Sequence, residues 1–277
     1  MDGVGNRKDK HEADLERIQR LCLMDDDFMN CCFSDNTECV ELVLHIILDR
    51  TDLRVQEVQT QYTMKNLQGR SLKLDILATD ESGKRYNIEL QRDSRGAGVK
   101  RARYHSSIMD ANILLAGEDF ASLPETYVIF ITEHDFFKKG KALYRIERCV
   151  LELEEEFGDG SHILYVNGEC KDDTPLGKLM YDFSCADPAD MNYDILAERT
   201  RFYKEEKEGI SVMSRIFEEV RMEGLIEGRM EGRIEGQKER TIVFVQNLLA
   251  EGTLPMEKIA EVSDLTYDEV KEIAESN

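Results

Sequence analysis

Residues 71–91 read as two strands joined by one tight turn, and this hairpin constrains the fold more than any other stretch of the chain. In SLKLDILAT, Leu72, Leu74 and Ile76 fall on one face, with Lys73, Asp75 and Leu77 on the other. In YNIELQ, Tyr86, Ile88 and Leu90 alternate with Asn87, Glu89 and Gln91. The turn Asp80-Glu81-Ser82-Gly83 carries its glycine where a three-residue hairpin loop needs a left-handed residue. That loop sets Asp80 across from Lys84, and the same register sets Asp75 across from Glu89. The two carboxylates then stand about 5 Å apart at Cβ.

The flanking segments extend this into a mixed α/β core. Residues 35–50 read as a helix capped by Asp35, Asn36 or Thr37, with Val40, Val43, Leu44 and Ile47 on one face. Residues 54–66 read as a strand of imperfect period, and residues 96–116 as a helix opened by a Gly-rich turn and closed near Gly117. TYVIFIT at 126–132 is a continuous apolar run, which suits a central strand. The order is helix, three strands, helix, strand, with one meander and one crossover. Two or three more strands are expected over 142–170, and charged helix over 190–221.

Like charges facing each other on a hairpin destabilise it unless a counter-charge stands between them. A divalent cation supplies one: Mg²⁺ takes oxygen ligands, uses one or two carboxylates and keeps several waters. Asp75 and Glu89 are therefore candidate metal ligands, and the Leu90 backbone carbonyl, flanked by site residues, is a third. Such a cation acidifies a bound water and polarises a phosphodiester. Residues 65–105 strengthen the case, holding ten basic residues (among them Lys73, Arg92, Arg101 and Arg103) against five acids. The whole chain carries a formal net charge of -21, which is unusual for a nucleic-acid partner. Cations that hold phosphate beside acids that hold metal are what phosphodiester chemistry requires. A solvated outer face with ordinary surface bases is the competing reading.

Seven cysteines, an odd count without a C-x-x-C pair, support neither a disulfide framework nor a zinc ribbon. They read as reduced thiols in a reducing compartment. The polar N-terminus has no signal-peptide core and no apolar run is long enough to span a bilayer, so a soluble, cytoplasmic protein without membrane contact is expected.

The C-terminal part has a separate organisation. EVRMEGLIEGRMEGRIEGQKE at 219–239 repeats every four residues, with Glu, Gly and Met/Ile in register. A helix is expected, but a poor one alone, since each Gly costs about 1 kcal/mol relative to Ala and the Glu residues repel at i,i+4. It reads either as a solvated, partly frayed linker or as a self-association helix with a Met/Ile stripe. Residues 241–277 read as three short helices, TIVFVQNLLAEG, PMEKIAEVS and TYDEVKEIAES. Their spacing suggests a helix-turn-helix, but eight acids against two lysines argue for a protein-contact module over a DNA reader. The expected organisation is a polar segment 1–30, a nuclease-like domain 31–185, a charged helical region 186–240 and a small acidic module 241–277.

GRSLKLDILATDESGKRYNIELQRD, followed in order by KRARYHSSIMDANILLAGEDF, LPETYVIFI, LYVNG, PLGKLMYDFSC, the EG repeat and the acidic tail, resembles the PD-(D/E)XK nuclease superfamily. The likeness is to its recombination-promoting (Rpn) and transposase branch, and it covers nearly the whole chain. The resemblance implies an α/β, restriction-endonuclease-like core (α-β-β-β-α-β) with a helical C-terminal extension. It implies a Mg²⁺-dependent DNA endonuclease, with Mn²⁺ as a substitute, tied to recombination or mobile elements. Asp75 and Glu89 match the motif acids as metal ligands. Gln91 stands where the superfamily usually has Lys; this branch commonly carries Gln there, which orients by hydrogen bonds but supplies no charge. An acid from the first helix often joins, with Glu41 the candidate and Glu38 behind it. Arg101 and Arg103 become candidate phosphate contacts. Tyr104 and His105 are close enough in sequence to reach the site, although a packed aromatic and a satisfied histidine are the plainer readings. DNA is the implied partner, and a homodimer through 219–277 follows from the need for two sites to cut two strands. The competing function is a weak or inactive nuclease fold that binds DNA or a protein through its helical C-terminal region.

Overall fold

The computed structural model describes residues 3–66 and 69–275. The chain divides at Ser214/Arg215 into two compact units. The first opens with helices α1 (Gly3–Arg20), α2 (Asp26–Phe33) and α3 (Thr37–Leu48), then strands β1 (Val55–Met64), β2 (Leu72–Asp80) and β3 (Arg85–Gln91). Helix α4 (Val99–Ile113) leads to β4 (Thr126–Thr132). Strands β5 (Leu143–Ile146), β6 (Cys149–Val150), β7 (Glu155–Glu156) and β8 (Ser161–Asn167) precede α5 (Pro175–Ser184) and α6 (Asp194–Glu205).

Six strands form one sheet in the order β1-β2-β3-β4-β8-β5. The first three make the expected antiparallel meander, and α4 carries the crossover to β4, parallel to β3. The stretch 142–170 holds four strands rather than two or three. β8 adds a second parallel neighbour to β4, β5 closes the edge, and β6 and β7 pair apart. TYVIFIT is β4 to the residue, and Val128, Ile129, Phe130 and Ile131 are fully buried.

Local chemistry sets the element ends. Asn36 caps α3 by accepting the Cys39 N–H at 3.0 Å, and the expected stripe of α3 is buried. Gly83 takes the left-handed conformation the turn requires, at φ +86. Asp80 pins that turn by accepting from the Ser82 and Lys84 N–H groups and from the Tyr86 hydroxyl. On α4, Ala102, Ile108 and Met109 join one core cluster with Val128, Phe130 and Tyr165. The N-terminal segment is more than a polar leader: Ile18, Leu23, Phe28 and Met29 are fully buried. None of the seven cysteines is in a disulfide, and five are buried.

The second unit starts within α7 (Lys207–Glu251) and continues with α8 (Met256–Ser263) and α9 (Tyr267–Glu275). The EG repeat and TIVFVQNLLAE are thus one continuous helix. Its two ends are held by burial of Met213 and Val245, so the Gly-bearing middle propagates between packed turns. Val245, Ile259, Ala260 and Val270 form the small core of the C-terminal helices. Thr266 and Glu269 cap α9 reciprocally, each accepting the other's backbone N–H. No helix among the described residues is long and apolar enough to cross a membrane.

Candidate active site

The register expected from the turn holds: Thr79, Ala78, Leu77 and Ile76 face Arg85, Tyr86, Asn87 and Ile88. At the next position the ladder stops and side chains take over. Asp75 Oδ2 accepts the Leu90 N–H at 2.9 Å, and Glu89 Oε1 accepts the Asp75 N–H at 3.3 Å. The two carboxylates therefore cross-link the strands they stand on, which places both acids at the end of the hairpin where β2 and β3 part.

The polar face of β3 is not open to solvent. Asn87 and Glu89 are both 0% exposed, because α4 lies over them. Arg101, in the first turns of α4, donates from Nη2 to Glu89 Oε2 at 3.3 Å and from Nε to His105 Nε2 at 3.1 Å. His105 is fully buried, with Nδ1 3.6 Å from Glu89 Oε1 and 2.9 Å from the Asn87 amide. Burial, with the Arg101 charge beside it, lowers the His105 pKa to about 4, so the ring is neutral. It is a satisfied core histidine, and it also touches the site. Tyr104 turns elsewhere: its hydroxyl donates to the Arg70 carbonyl at 2.5 Å and accepts from Asn66 Nδ2 at 3.0 Å.

Burial raises the pKa of both acids. For Asp75 the Leu90 N–H pulls the other way, the charge of Asp26 pushes further up, and Arg101 and Lys73 pull down. For Glu89 the repulsion of Asp75 adds to burial, against Arg101, the Asp75 N–H and the Asn87 amide. The pair is thus short of positive charge, and a hard divalent ion fits that deficit. Among the described residues no group of three or more His, Cys, Asp and Glu side chains forms a metal cage. Mg²⁺ needs only one or two carboxylates and completes its shell with waters and phosphate oxygens, a ligand demand that a two-carboxylate pair fits.

Gln91 ends β3, its carbonyl accepting the Glu133 N–H at 3.0 Å. Its side chain lies in a cradle made by Gly96, where any Cβ would overlap the Gln91 amide oxygen outright. The Gly-rich turn before α4 is thereby explained: it leaves room for this side chain.

Two expected residues are placed elsewhere. Glu41 accepts the Val55 N–H at 2.9 Å and pairs with Arg54 at 3.2 Å, fastening the start of β1. Val55 faces Asp80, five residues along β2 from Asp75, or roughly 17 Å at about 3.3 Å per residue. Glu38 lines a cleft with Asn36, Ile195 and Arg199. The N-terminal acid that does reach the site is Asp26, at the start of α2, which raises the Asp75 pKa. Its own pKa is raised by burial and by Asp27 and Asp25, against Arg92 and Lys73. The run Asp25-Asp26-Asp27 opening an apolar helix was the available signal. Arg92, expected on phosphate, pairs with Asp25 at 2.9 Å and lies 3.7 Å from Glu133. Lys73 and Arg103 are exposed, as a substrate contact requires.

A family model described as PD-(D/E)XK nuclease family transposase matches residues 28–169, just over half the chain. That span holds every residue expected at the site. No curated protein and no solved structure matches.

Proposed function

Because the chain belongs to the PD-(D/E)XK nuclease family of transposases, we propose that it is a Mg²⁺-dependent DNA endonuclease acting in recombination or on mobile elements. The observation that carries this reading is the pair Asp75 and Glu89, half-buried and fully buried, short of positive charge, and fixed to each other's strands. With the Leu90 carbonyl they would hold Mg²⁺ or Mn²⁺, which when bound acidifies a water and polarises the phosphodiester. The chain's own groups do the rest. The Leu90 N–H keeps Asp75 aimed. Arg101 and the Asp75 N–H hold Glu89 in place. Gln91 orients the attacking water through its amide, both as donor and as acceptor. Lys73, Arg101 and Arg103 face the phosphates. Gln91 brings no charge to the pentavalent phosphorus, so turnover is slow compared with a lysine-bearing site.

A plasmid-nicking assay with and without Mg²⁺ tests this, run beside Asp75→Ala and Gln91→Lys. Metal-dependent nicking that disappears in Asp75→Ala supports it. A folded wild-type chain that nicks under no metal overturns it in favour of a binding module that works through the helical C-terminal region.

We further propose that the chain self-associates through α7. Met222, Ile226, Met230 and Ile234 are each about half exposed or more along the repeat, a row that water alone does not favour. Added Cβ atoms at Gly224, Gly228, Gly232 and Gly236 meet nothing, which leaves space for a second helix to approach. A monomer by light scattering at working concentration would end this reading.

A further inference from the structure

The ten basic residues between 65 and 105 fall into two classes. Five are engaged: Lys84 with Glu125, Arg85 with Thr79 Oγ1, Arg92 with Asp25, Arg95 with Asp93 and Arg101 with Glu89. The other five, Lys65, Arg70, Lys73, Lys100 and Arg103, are exposed and, among the described residues, form no ion pair. They stand in a chain whose Asp and Glu outnumber Lys and Arg 57 to 36.

Four of these five lie around one strut. Tyr104 runs from α4 to the turn between β1 and β2, where its hydroxyl holds the Arg70 carbonyl and the Asn66 amide. Lys100 stands four residues before Tyr104 on α4 and three before Arg103, so it shares a helix face with each and links the second cation to the strut. Arg70 and Lys65 flank the anchored turn. Arg101, three residues before Tyr104, touches Glu89, so the strut stands about one helix turn, roughly 5 Å, from the acid pair's own contact.

We propose that Lys65 and Arg70 on the β1–β2 turn, with Lys100 and Arg103 on α4, form one docking surface for the phosphate backbone of duplex DNA beside the cutting site. Tyr104 is the positioning residue that fixes the turn to the helix. This rests on the nuclease reading and extends it beyond the acid pair to an arm outside the meander's hydrogen-bonded ladder. The chemistry favours a backbone: the two lysines bring compact charges, the two arginines bring guanidinium forks that match phosphate oxygens, and the aromatic among them has its hydroxyl committed to the strut.

The test is fluorescence anisotropy with a labelled 20-bp duplex over a NaCl series, using the full chain carrying Asp75→Asn to prevent cutting. Each lost phosphate contact lowers the slope of log K against log salt by about 0.9. Lys65→Ala/Arg70→Ala is therefore expected to lower it by about 1.8, while Lys138→Ala/Lys139→Ala leaves it unchanged. Tyr104→Phe keeps every cation yet is expected to shift the slope toward that of the double variant. A parental slope in Lys65→Ala/Arg70→Ala overturns the docking surface and leaves the nuclease reading standing, as does tighter binding of a single strand than of the duplex. Failure of the parental chain to bind any duplex overturns both.

Discussion

Arg101 reaches Glu89 with one guanidinium nitrogen and His105 with another: Nη2 lies 3.3 Å from Glu89 Oε2, and Nε lies 3.1 Å from His105 Nε2. An Arg N–H can only donate, so His105 Nε2 must accept. The other ring nitrogen, Nδ1, lies 2.9 Å from the Asn87 amide and 3.6 Å from Glu89 Oε1. The buried carboxylate is thus held by Arg101 on one oxygen and by the Asp75 N–H on the other. In the absence of metal, Arg101 is the cation that makes burial of Glu89 tolerable.

Arg101→Gln removes that cation while keeping a donor of similar reach. Metal-free stability should fall by about 1–3 kcal/mol, the cost of leaving a charged buried acceptor poorly paired. Mg²⁺ should restore part of the loss, since it supplies the missing positive charge. Thermal unfolding in EDTA and in Mg²⁺ reads both effects. A variant as stable as wild type in EDTA would mean that the contact carries no weight.

The raised pKa values give a pH dependence of unusual sign. The folded chain holds protons on Asp75 and Glu89 at pH values where the unfolded chain, with carboxyls near their ordinary value of about 4, has released them. Stability therefore falls as pH rises through the window between the ordinary and the raised values, and is level above it. Asp75→Asn still accepts the Leu90 N–H through its amide oxygen but removes one charge and the repulsion on Glu89. In EDTA at pH 8 it should be about 1–2 kcal/mol more stable than wild type. Its unfolding temperature should no longer respond to Mg²⁺. Urea titrations from pH 4 to pH 9 would show the flattened profile, and a profile parallel to wild type would refute the assignment.

Much of this was legible in the residues themselves. The register of Asp75 against Glu89 follows from alternation on two strands and from one glycine, both local properties, and the Val40–Ile47 stripe and TYVIFIT follow from periodicity. What was hidden depends on docking between distant segments. The polar face of β3 is buried because α4 folds back over it, which alternation within the hairpin cannot reveal. Glu41 belongs to the helix nearest β1 in sequence, but that helix reaches the Asp80 end of the hairpin. Asp26 arrives by way of α2, whose burial of Phe28 and Met29 was masked by the polar residues before it. The continuity of α7 depends on packing at both of its ends, whereas glycine propensity speaks only for the middle.

Gly96→Ala separates the role of Gln91 from the stability of the fold. The backbone at Gly96 is not left-handed, so alanine is allowed there, and the added methyl meets only the flexible end of Gln91. The amide must move out of its cradle. Stability should stay within about 1 kcal/mol of wild type, as Gly-to-Ala changes at compatible sites do, while nicking falls at least about ten-fold, the scale of a displaced orienting group. Wild-type nicking by a folded Gly96→Ala chain would show that Gln91 is not needed where the structure puts it.

Lys204 makes the same point about the scaffold beneath the site. In FYKEEKEG it reads as one more surface charge, yet its side chain is 1% exposed. Its ammonium donates to the carbonyls of Gln19, Leu21 and Ala186 and stands 5.4 Å from the Phe28 ring centroid. It thereby ties the end of α1 and the segment after α5 to α6, beside the helix that carries Asp26. Lys204→Met keeps the volume and strands three buried carbonyls, at about 1–3 kcal/mol for each unsatisfied group after partial relaxation. A loss of at least about 3 kcal/mol in urea unfolding is expected. Burial lowers the Lys204 pKa, so toward about pH 10 the unfolded chain binds more protons here than the folded one. Wild-type stability therefore gains with pH in a way the variant cannot, and the deficit of Lys204→Met should widen from pH 8 to pH 10. A deficit that narrows over that range would mean that the ammonium, and not its burial, sets the balance.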